Sequence, residues 1–214
     1  MARARDWLTR NWLRLLVHLG GLTLLALLVW SLRSGRFFID PVQAVTLRTG
    51  RLAITFLLLS LACTPVAAIT GLRRVVRARR PLGLWALAYT ALHLLTFIGW
   101  DYRFDRALLR TGVLEQPFVL IGFGAFLLLA ALGITSLQGL RVRMGRFWRP
   151  FQRLIYLAAA LDVWHVLWLR KDPWEVWYYP VILAGLLVLR IPPVGRTIAG
   201  VGDHIVGSEE SGTQ

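Results

Sequence analysis

Two histidines lie deep inside long apolar segments of this 214-residue chain. His93 falls within residues 81–100, and His165 falls within residues 151–169. An ionisable side chain inside an apolar span is costly and usually has a function. Two imidazoles from separate helices can fill both axial positions of a haem iron, which is the chemistry that this pair suggests. The alternative is two unrelated histidines that hydrogen-bond to neighbouring helices.

The positions of the two histidines along their segments favour the paired interpretation. His93 is twelve residues from the start of its segment, roughly 18 Å along a helix, and His165 is fourteen residues from its start, roughly 21 Å. If both helices start from the same side of a membrane, the two imidazoles lie at about the same depth. A flat porphyrin that stands between two helices requires this arrangement, so we predict a shared b-type haem.

The elements that must position these histidines are predicted from composition. The chain is 57% hydrophobic, and its apolar residues fall in runs long enough to cross a bilayer. We predict an all-α integral membrane protein, a six-helix bundle. Its spans are residues 12–30, 52–72, 81–100, 117–138, 151–169 and 174–191. Residues 1–11 form an N-terminal tail, residues 12–191 the haem-binding membrane domain, and residues 192–214 a partly disordered C-terminal tail.

The basic residues predict orientation rather than nucleic-acid binding. The formal charge is +14, but the arginines lie between apolar runs, where membrane topology places them. One side of the membrane receives fifteen basic residues and the other nine. The positive-inside rule therefore predicts a multi-pass protein of a bacterial inner membrane with both termini in the cytoplasm. The single cysteine, Cys63, excludes an intrachain disulfide and a Cys-ligated iron–sulfur cluster, and is interpreted as a small apolar filler.

Three further ionisable residues need an interpretation. Asp162 lies three residues before His165 on the same helical face, so it could accept the ring N–H of a ligating histidine. It could instead stay protonated or pair with an arginine from another span. His18 in the first span is interpreted as a packing histidine, with a role as a substitute haem ligand as the alternative. His204 lies in the polar C-terminal tail and is expected to be solvated.

A second haem would need ligands about four helical turns from the first pair. Arg79 lies fourteen residues before His93, and Gln152 lies thirteen residues before His165. Arginine and glutamine are poor haem ligands beside histidine. The sequence therefore predicts one haem rather than two, unless His18 supplies the missing ligand.

Several stretches of the chain resemble one protein family. They are DPVQAVTLRTGRLAITFLLLSLACTP, RRPLGLWALAYTALHLLTF, GITSLQGLRVRMGRFW and RLIYLAAALDVWHVLW, with LVHLGG in the first span. In these stretches the chain is similar to the MsrQ (YedZ) family, the haem-binding membrane subunits of the periplasmic methionine sulfoxide reductase system. That family belongs to the ferric-reductase-like transmembrane group.

The resemblance implies a six-helix bundle that binds b-type haem and FMN. It also implies an electron donor, either the quinone pool or a cytoplasmic flavin reductase, and a soluble molybdopterin subunit, MsrP, as the acceptor. His93 and His165 match two histidines of the family, and Arg79 matches an arginine near its inner haem. Gln152 replaces a third family histidine, so only the His93–His165 pair is carried over intact.

We therefore interpret the chain as a membrane electron-transfer subunit that is not catalytic alone. One alternative is a stand-alone ferric-reductase-like electron carrier. Such a carrier normally needs a nucleotide-binding module, and no G-x-G-x-x-G unit follows a strand here. A second alternative is a small transporter, which the sequence disfavours because no half-to-half repeat and no interrupted pair of spans is evident.

Overall fold

The computed structural model describes residues 2–36, 40–169 and 173–190. Within these ranges all regular structure is helical, which confirms the all-α prediction. The helices are α1 (Ala2–Arg33), α2 (Pro41–Thr70), α3 (Arg79–Thr96), α4 (Arg106–Glu115), α5 (Pro117–Thr135), α6 (Gln138–Met144), α7 (Trp148–Gln152), α8 (Ile155–Leu169) and α9 (Tyr178–Val188). Short 3₁₀ segments cover Arg73–Ala78, Gly145–Phe147 and Pro173–Glu175, and a π-helical turn covers Phe97–Asp101.

Six apolar helices correspond to the six predicted spans. Four helical segments of the described chain have the length and composition to cross a membrane: Asn11–Arg33, Pro41–Thr70, Arg73–Asp101 and Pro117–Thr135. The other two, α8 and α9, are apolar but have only 15 and 11 residues. A 15-residue helix is about 22 Å long, against about 30 Å for the hydrocarbon core of a bilayer. The membrane bundle is thus confirmed, with two helices shorter than predicted.

The start of α2 differs from the prediction for a local reason. The span was predicted to begin at residue 52, whereas the helix begins at Pro41. Asp40 caps it, because its side chain accepts the Gln43 backbone N–H at 2.8 Å, and proline suits the first helical position. Gly71, at φ +69°, ends the helix in the left-handed conformation.

The predicted fifth span, residues 151–169, is not one continuous helix. It is divided between α7, which ends at Gln152, and α8, which begins at Ile155. The backbone N–H groups of Arg153 and Leu154 bond three residues back, each at 3.0 Å, instead of four. The Pro150 carbonyl accepts the Arg153 bond, and the Phe151 carbonyl accepts the Leu154 bond. The chain therefore tightens into a turn between the two helices.

The core is formed by two antiparallel helix pairs. α2 packs along α3, and α5 packs along α8. Ala86 on α3 and Ala158 on α8 have no exposed surface. Small residues at such positions let helix backbones approach closely. Around them lie fully buried larger side chains, which include Ile54, Leu57 and Tyr89.

The two pairs are related by an internal repeat with a constant offset of 72 residues. On the first helix of each pair the matching residues are Gly50, Ala53 and Leu57 against Gly122, Ala125 and Leu129. On the second they are Ala86, Ala88, His93 and Leu95 against Ala158, Ala160, His165 and Leu167. Because both copies run in the same direction, they place the two histidines at the same level.

Candidate functional site

A cavity of about 340 Å³ lies between the two helix pairs. We call it the histidine cavity, because His93 and His165 both line it, together with Asp162, Arg51 and Tyr179. Its other walls are mostly apolar side chains of α2, α3, α5 and α9. An apolar cavity of this size with a few converging polar groups is typical of a cofactor site.

The two imidazoles face each other across this cavity at a spacing that suits one metal ion. Their ring centres are 6.2 Å apart, and their planes meet at 79°. Imidazole nitrogens bind transition metals at about 2.0–2.1 Å, which puts the centres of two opposed ligand rings about 6.4 Å apart. The spacing of the ring centres is therefore compatible with one metal ion between them, and the two rings lie close together, in keeping with their equal depths.

Each imidazole is oriented by a backbone carbonyl of the neighbouring helix. His93 Nδ1 lies 2.8 Å from the Thr46 carbonyl oxygen, and His165 Nδ1 lies 2.8 Å from the Phe118 carbonyl oxygen. A carbonyl only accepts, so Nδ1 carries the hydrogen in both rings. The lone pair is then on Nε2, the nitrogen that is left for a metal. Such a bond is typical of metal-bound histidine and raises its strength as a ligand.

Two glycines give the imidazoles room against the neighbouring helices. A Cβ at Gly50 would lie 3.1 Å from His93 Nδ1, and a Cβ at Gly122 would lie 2.7 Å from His165 Nδ1. Each glycine is four residues after the carbonyl that orients the same ring, so carbonyl and glycine lie one turn apart on one helix face. The absence of a side chain lets each ring reach the backbone.

A second cavity, of about 630 Å³, lies toward the other end of the same helices. We call it the arginine cavity. The arginines that line it are Arg79, Arg80, Arg141, Arg149 and Arg153. Gln152 also lines it, but its amide Nε2 donates to the Leu132 carbonyl and to Thr135 Oγ1, each at 3.2 Å. Among the described residues that line this cavity there is no histidine.

Comparison with known proteins places this arrangement in a family. The model of the ferric reductase like transmembrane component matches residues 49–163. A protein of Klebsiella pneumoniae subsp. pneumoniae is 35% identical over 182 residues, which cover 84% of this chain and 90% of the relative. A protein of Xanthomonas euvesicatoria pv. vesicatoria is 40% identical over 183 residues, which cover 82% and 84%. Both relatives are named protein-methionine-sulfoxide reductase heme-binding subunit MsrQ.

The chain belongs to the MsrQ family. The matched ferric reductase like segment contains His93 and ends two residues before His165. The alignments with the two MsrQ relatives cover more of the chain than that segment does. The family assignment therefore rests on the membrane bundle as a whole and does not depend on the histidine pair alone.

Asp162 lines the histidine cavity of this MsrQ-family chain but does not bond to either imidazole in the way considered from the sequence. Both ring N–H groups donate to backbone carbonyls instead. The Asp162 Oδ2 atom is shielded from solvent and has no hydrogen-bond partner. In this arrangement Asp162 does not accept a ring N–H of either histidine, and the other two alternatives, a protonated carboxyl group or a pair with an arginine, stay open.

His18 and Cys63 lie apart from the histidine cavity. His18 is exposed on α1, and its Nδ1 accepts a hydrogen bond of 3.3 Å from Trp85 Nε1. It lines neither cavity, which agrees with a packing role. Cys63 is buried, and its Sγ donates to the Leu59 carbonyl at 3.3 Å, as expected of a small filler. His204 lies outside the described residues.

The groups that orient the histidines were not predicted from the sequence. These are the carbonyls of Thr46 and Phe118 and the glycines Gly50 and Gly122. A signal for them was available, since each histidine follows its carbonyl by 47 residues and its glycine by 43. Equal spacings in the two halves would have identified the pairs that contact each other.

Proposed function

We propose that His93 and His165 hold one b-type haem and that the chain is a membrane electron-transfer subunit. The observation that carries the proposal is the pair of imidazoles, 6.2 Å apart, with both Nδ1 atoms already committed to carbonyls. That arrangement leaves two Nε2 atoms for one metal ion. The names of the MsrQ relatives, which state heme binding, support the same conclusion.

When bound, the haem supplies one-electron chemistry, and the protein supplies binding, orientation and electrostatics. The carbonyls of Thr46 and Phe118 hold the two imidazoles in the ligating orientation. Gly122 and Gly50 let the rings lie against the helices, so little rearrangement is needed on binding. The mostly apolar walls of the histidine cavity suit a hydrophobic porphyrin, and Gln152 stands in the arginine cavity where an imidazole would be needed.

We propose that the electrons pass to a periplasmic methionine sulfoxide reductase subunit, MsrP. The relatives' names place them in a protein-methionine-sulfoxide reductase system, and this supports the same role here. The donor would be the quinone pool or a cytoplasmic flavin reductase. FMN is included as a second cofactor by resemblance to the family, with no residues assigned to it.

The orientation that fits this function has both termini in the cytoplasm of a bacterial inner membrane. The arginine cavity would then open toward the cytoplasm, in keeping with the excess of basic residues on that side. The histidine cavity would lie nearer the periplasm, where a soluble acceptor could receive the electron.

An absorption spectrum tests the haem proposal. The purified protein should show a sharp Soret band that shifts on reduction with dithionite. His93→Ala and His165→Ala should each lose most of this band, because one axial ligand is removed. His18→Ala is the matched control, since it removes an imidazole outside the cavity and should leave haem content unchanged. Normal haem content in a folded His93→Ala or His165→Ala variant would refute the assignment.

Cysteine labelling tests the orientation. A Cys63→Ala background removes the only natural thiol, and Gly207→Cys, outside the described residues, adds one to the C-terminal tail. The new thiol should react with a membrane-impermeant reagent only after the membrane is opened. Labelling from the periplasmic side of intact cells would contradict the proposed orientation and place the C-terminus in the periplasm.

Electron transfer to purified MsrP separates the two redox functions considered for this chain. The reduced protein should be reoxidised rapidly when MsrP and methionine sulfoxide are both present. A ferric chelate in place of MsrP should give slow reoxidation. The opposite order of rates would favour the stand-alone ferric-reductase-like carrier.

A further inference from the structure

Asp162 is a partly buried residue whose carboxyl group has no role in the proposed function. It lies three residues before His165, on the same face of α8, and lines the histidine cavity. Its Oδ2 atom has no hydrogen-bond partner and no contact with solvent. An unpaired carboxylate in such a place is costly, because nothing replaces the water that would stabilise its charge.

The equivalent position in the other helix pair carries a polar side chain whose hydrogen bond is satisfied within its own helix. The residue 72 positions before Asp162 is Thr90, which is buried. The Thr90 hydroxyl donates to the Ala86 carbonyl at 2.8 Å, one turn back on its own helix. An ionised carboxylate can only accept, so it cannot use such a carbonyl, whereas a protonated carboxyl group can donate to one. The site therefore favours a neutral Asp162 unless a positive charge is close.

Few groups around Asp162 can supply that charge. The residues of α5 that line the cavity carry no titratable group: they are Phe118, Val119, Gly122, Phe123 and Phe126. Helix α9 contributes the buried Tyr179, with Tyr178 beside it, and α2 contributes Arg51. The Arg51 side chain is exposed on α2, and within the described part of the chain no hydrogen bond or ion pair joins it to Asp162.

The remaining ionisable groups of the cavity do not change this conclusion. His93 on α3 and His165 on α8 act as neutral imidazoles when they bind iron. Asp40 and Asp101 also line the cavity and are themselves acidic. The charge that changes inside the cavity is then that of the iron, which loses one positive unit on reduction.

We propose that Asp162 takes up a proton when the haem iron is reduced and releases it when the iron is oxidised. This inference rests on the proposed haem at His93 and His165. One electron comes from the donor, a quinol or a reduced flavin, and one proton from water joins a carboxylate oxygen of Asp162. When the acceptor takes the electron, the proton returns to water. One unit charge about 10 Å away at an effective dielectric constant of about 20 changes proton affinity by about tenfold.

A redox titration at a series of pH values, followed by haem absorbance in the purified protein, tests the inference. The wild-type midpoint potential should fall as pH rises, by about 59 mV in total for a tenfold change in proton affinity, with a maximum slope of about half the one-electron value. Asp162→Asn should lose this slope and stay near the wild-type potential at acid pH, because a carboxamide resembles the protonated carboxyl group. Haem propionates also titrate, but all variants share them.

Two control variants test whether the dependence on pH comes from Asp162 or from other residues of the helix pairs. Thr90→Val alters the matching position of the other helix pair, and Tyr179→Phe removes the neighbouring titratable group. Both should keep the wild-type dependence on pH. A wild-type slope in Asp162→Asn, or its loss in Tyr179→Phe alone, would overturn the inference.

A measurement on the unaltered protein decides the matter if Asp162→Asn does not fold. In a reduced-minus-oxidised infrared spectrum, the carbonyl stretch of a protonated carboxylic acid should appear on reduction. No change in that band would overturn the inference. A wild-type protein without haem would overturn the proposed function itself, whereas a haem with a potential independent of pH would overturn only the role of Asp162.

Discussion

The histidine cavity and the arginine cavity are built from the same helices, about four turns apart, yet they present different chemistry. In the histidine cavity the equivalent positions 93 and 165 both carry histidine. In the arginine cavity the equivalent positions 80 and 152 carry arginine and glutamine. Arg80 donates to the Ser136 carbonyl at 3.0 Å, and Gln152 donates to the Leu132 carbonyl at 3.2 Å.

All four side chains are thus anchored to a backbone carbonyl near the neighbouring helix. The difference lies in what remains after the anchoring bond is made. An imidazole uses Nδ1 and keeps the lone pair of Nε2 for a metal ion, whereas a guanidinium group has only donors. A glutamine amide keeps a carbonyl oxygen, a weak ligand for haem iron. The fold provides two cavities, and under the proposed function the residue type at these positions decides which one can bind iron.

The largest expected effect is a change in haem number. The wild-type protein should bind one haem, and Gln152→His should bind up to twice as much. The new imidazole can donate Nδ1–H to the Leu132 carbonyl, as His165 does to the Phe118 carbonyl, and present Nε2 to the arginine cavity. The ratio of haem to protein measures this, with Gln152→Leu as the control that cannot ligate. Two haems in the wild-type protein, one of them lost in His18→Ala, would mean that the first span supplies the missing ligand.

Gly122→Ala should remove most of the haem from the histidine cavity. Its new Cβ would lie 2.7 Å from His165 Nδ1, so the ring must leave its place. Overpacking of this kind costs about 1–3 kcal/mol of stability. The Soret absorbance per protein and the thermal unfolding midpoint measure the effect. Gly20→Ala is the matched control, because nothing lies within 4 Å of its new Cβ. Equal haem content in the two variants would contradict the proposed contact.

Gly50→Ala should have the same kind of effect at a smaller size. Its Cβ would lie 3.1 Å from His93 Nδ1, which a shift of a few tenths of an ångström can relieve. We expect the free energy of unfolding to fall by about 1 kcal/mol. Haem should also be released faster to an excess of apomyoglobin. A greater loss of haem than in Gly122→Ala would show that the two halves of the site do not follow the geometry described here.

The smallest effect is expected for a glycine-to-alanine substitution at a residue that lines the arginine cavity. In Gly133→Ala the new Cβ would meet Leu87 Cδ2 at 2.5 Å, but this methyl group is the end of a flexible side chain that can change rotamer. Haem content should stay at the wild-type level, as judged by the Soret band. A loss comparable to that in Gly122→Ala would mean that the histidine cavity depends on helix packing at a distance.

The sequence was sufficient for the features that depend on length and residue type. The apolar helices and the common level of His93 and His165 follow from hydropathy and from the fixed rise of a helix. The capped start of α2 was missed, although Asp40 followed by Pro41 is a local signal. The break before α8 was missed as well, although Pro150 lies just before it.

The orienting contacts could not be predicted from composition or periodicity. Which carbonyl meets His165 depends on how α5 is rotated and shifted against α8, and that is decided by packing over the whole pair. The same holds for Asp162, whose lack of a partner is a property of every helix around it. The offset of 72 residues was the one sequence signal that could have linked these positions.

The internal repeat also affects how the site is made during protein synthesis. Each helix pair carries one histidine, so neither pair can complete the axial coordination of an iron alone. The second histidine is translated 72 residues after the first. At about 5–20 residues per second, His93 has no partner for about 4–14 s after it is made. Under the proposed function, capture of haem by both ligands therefore follows the synthesis of α8.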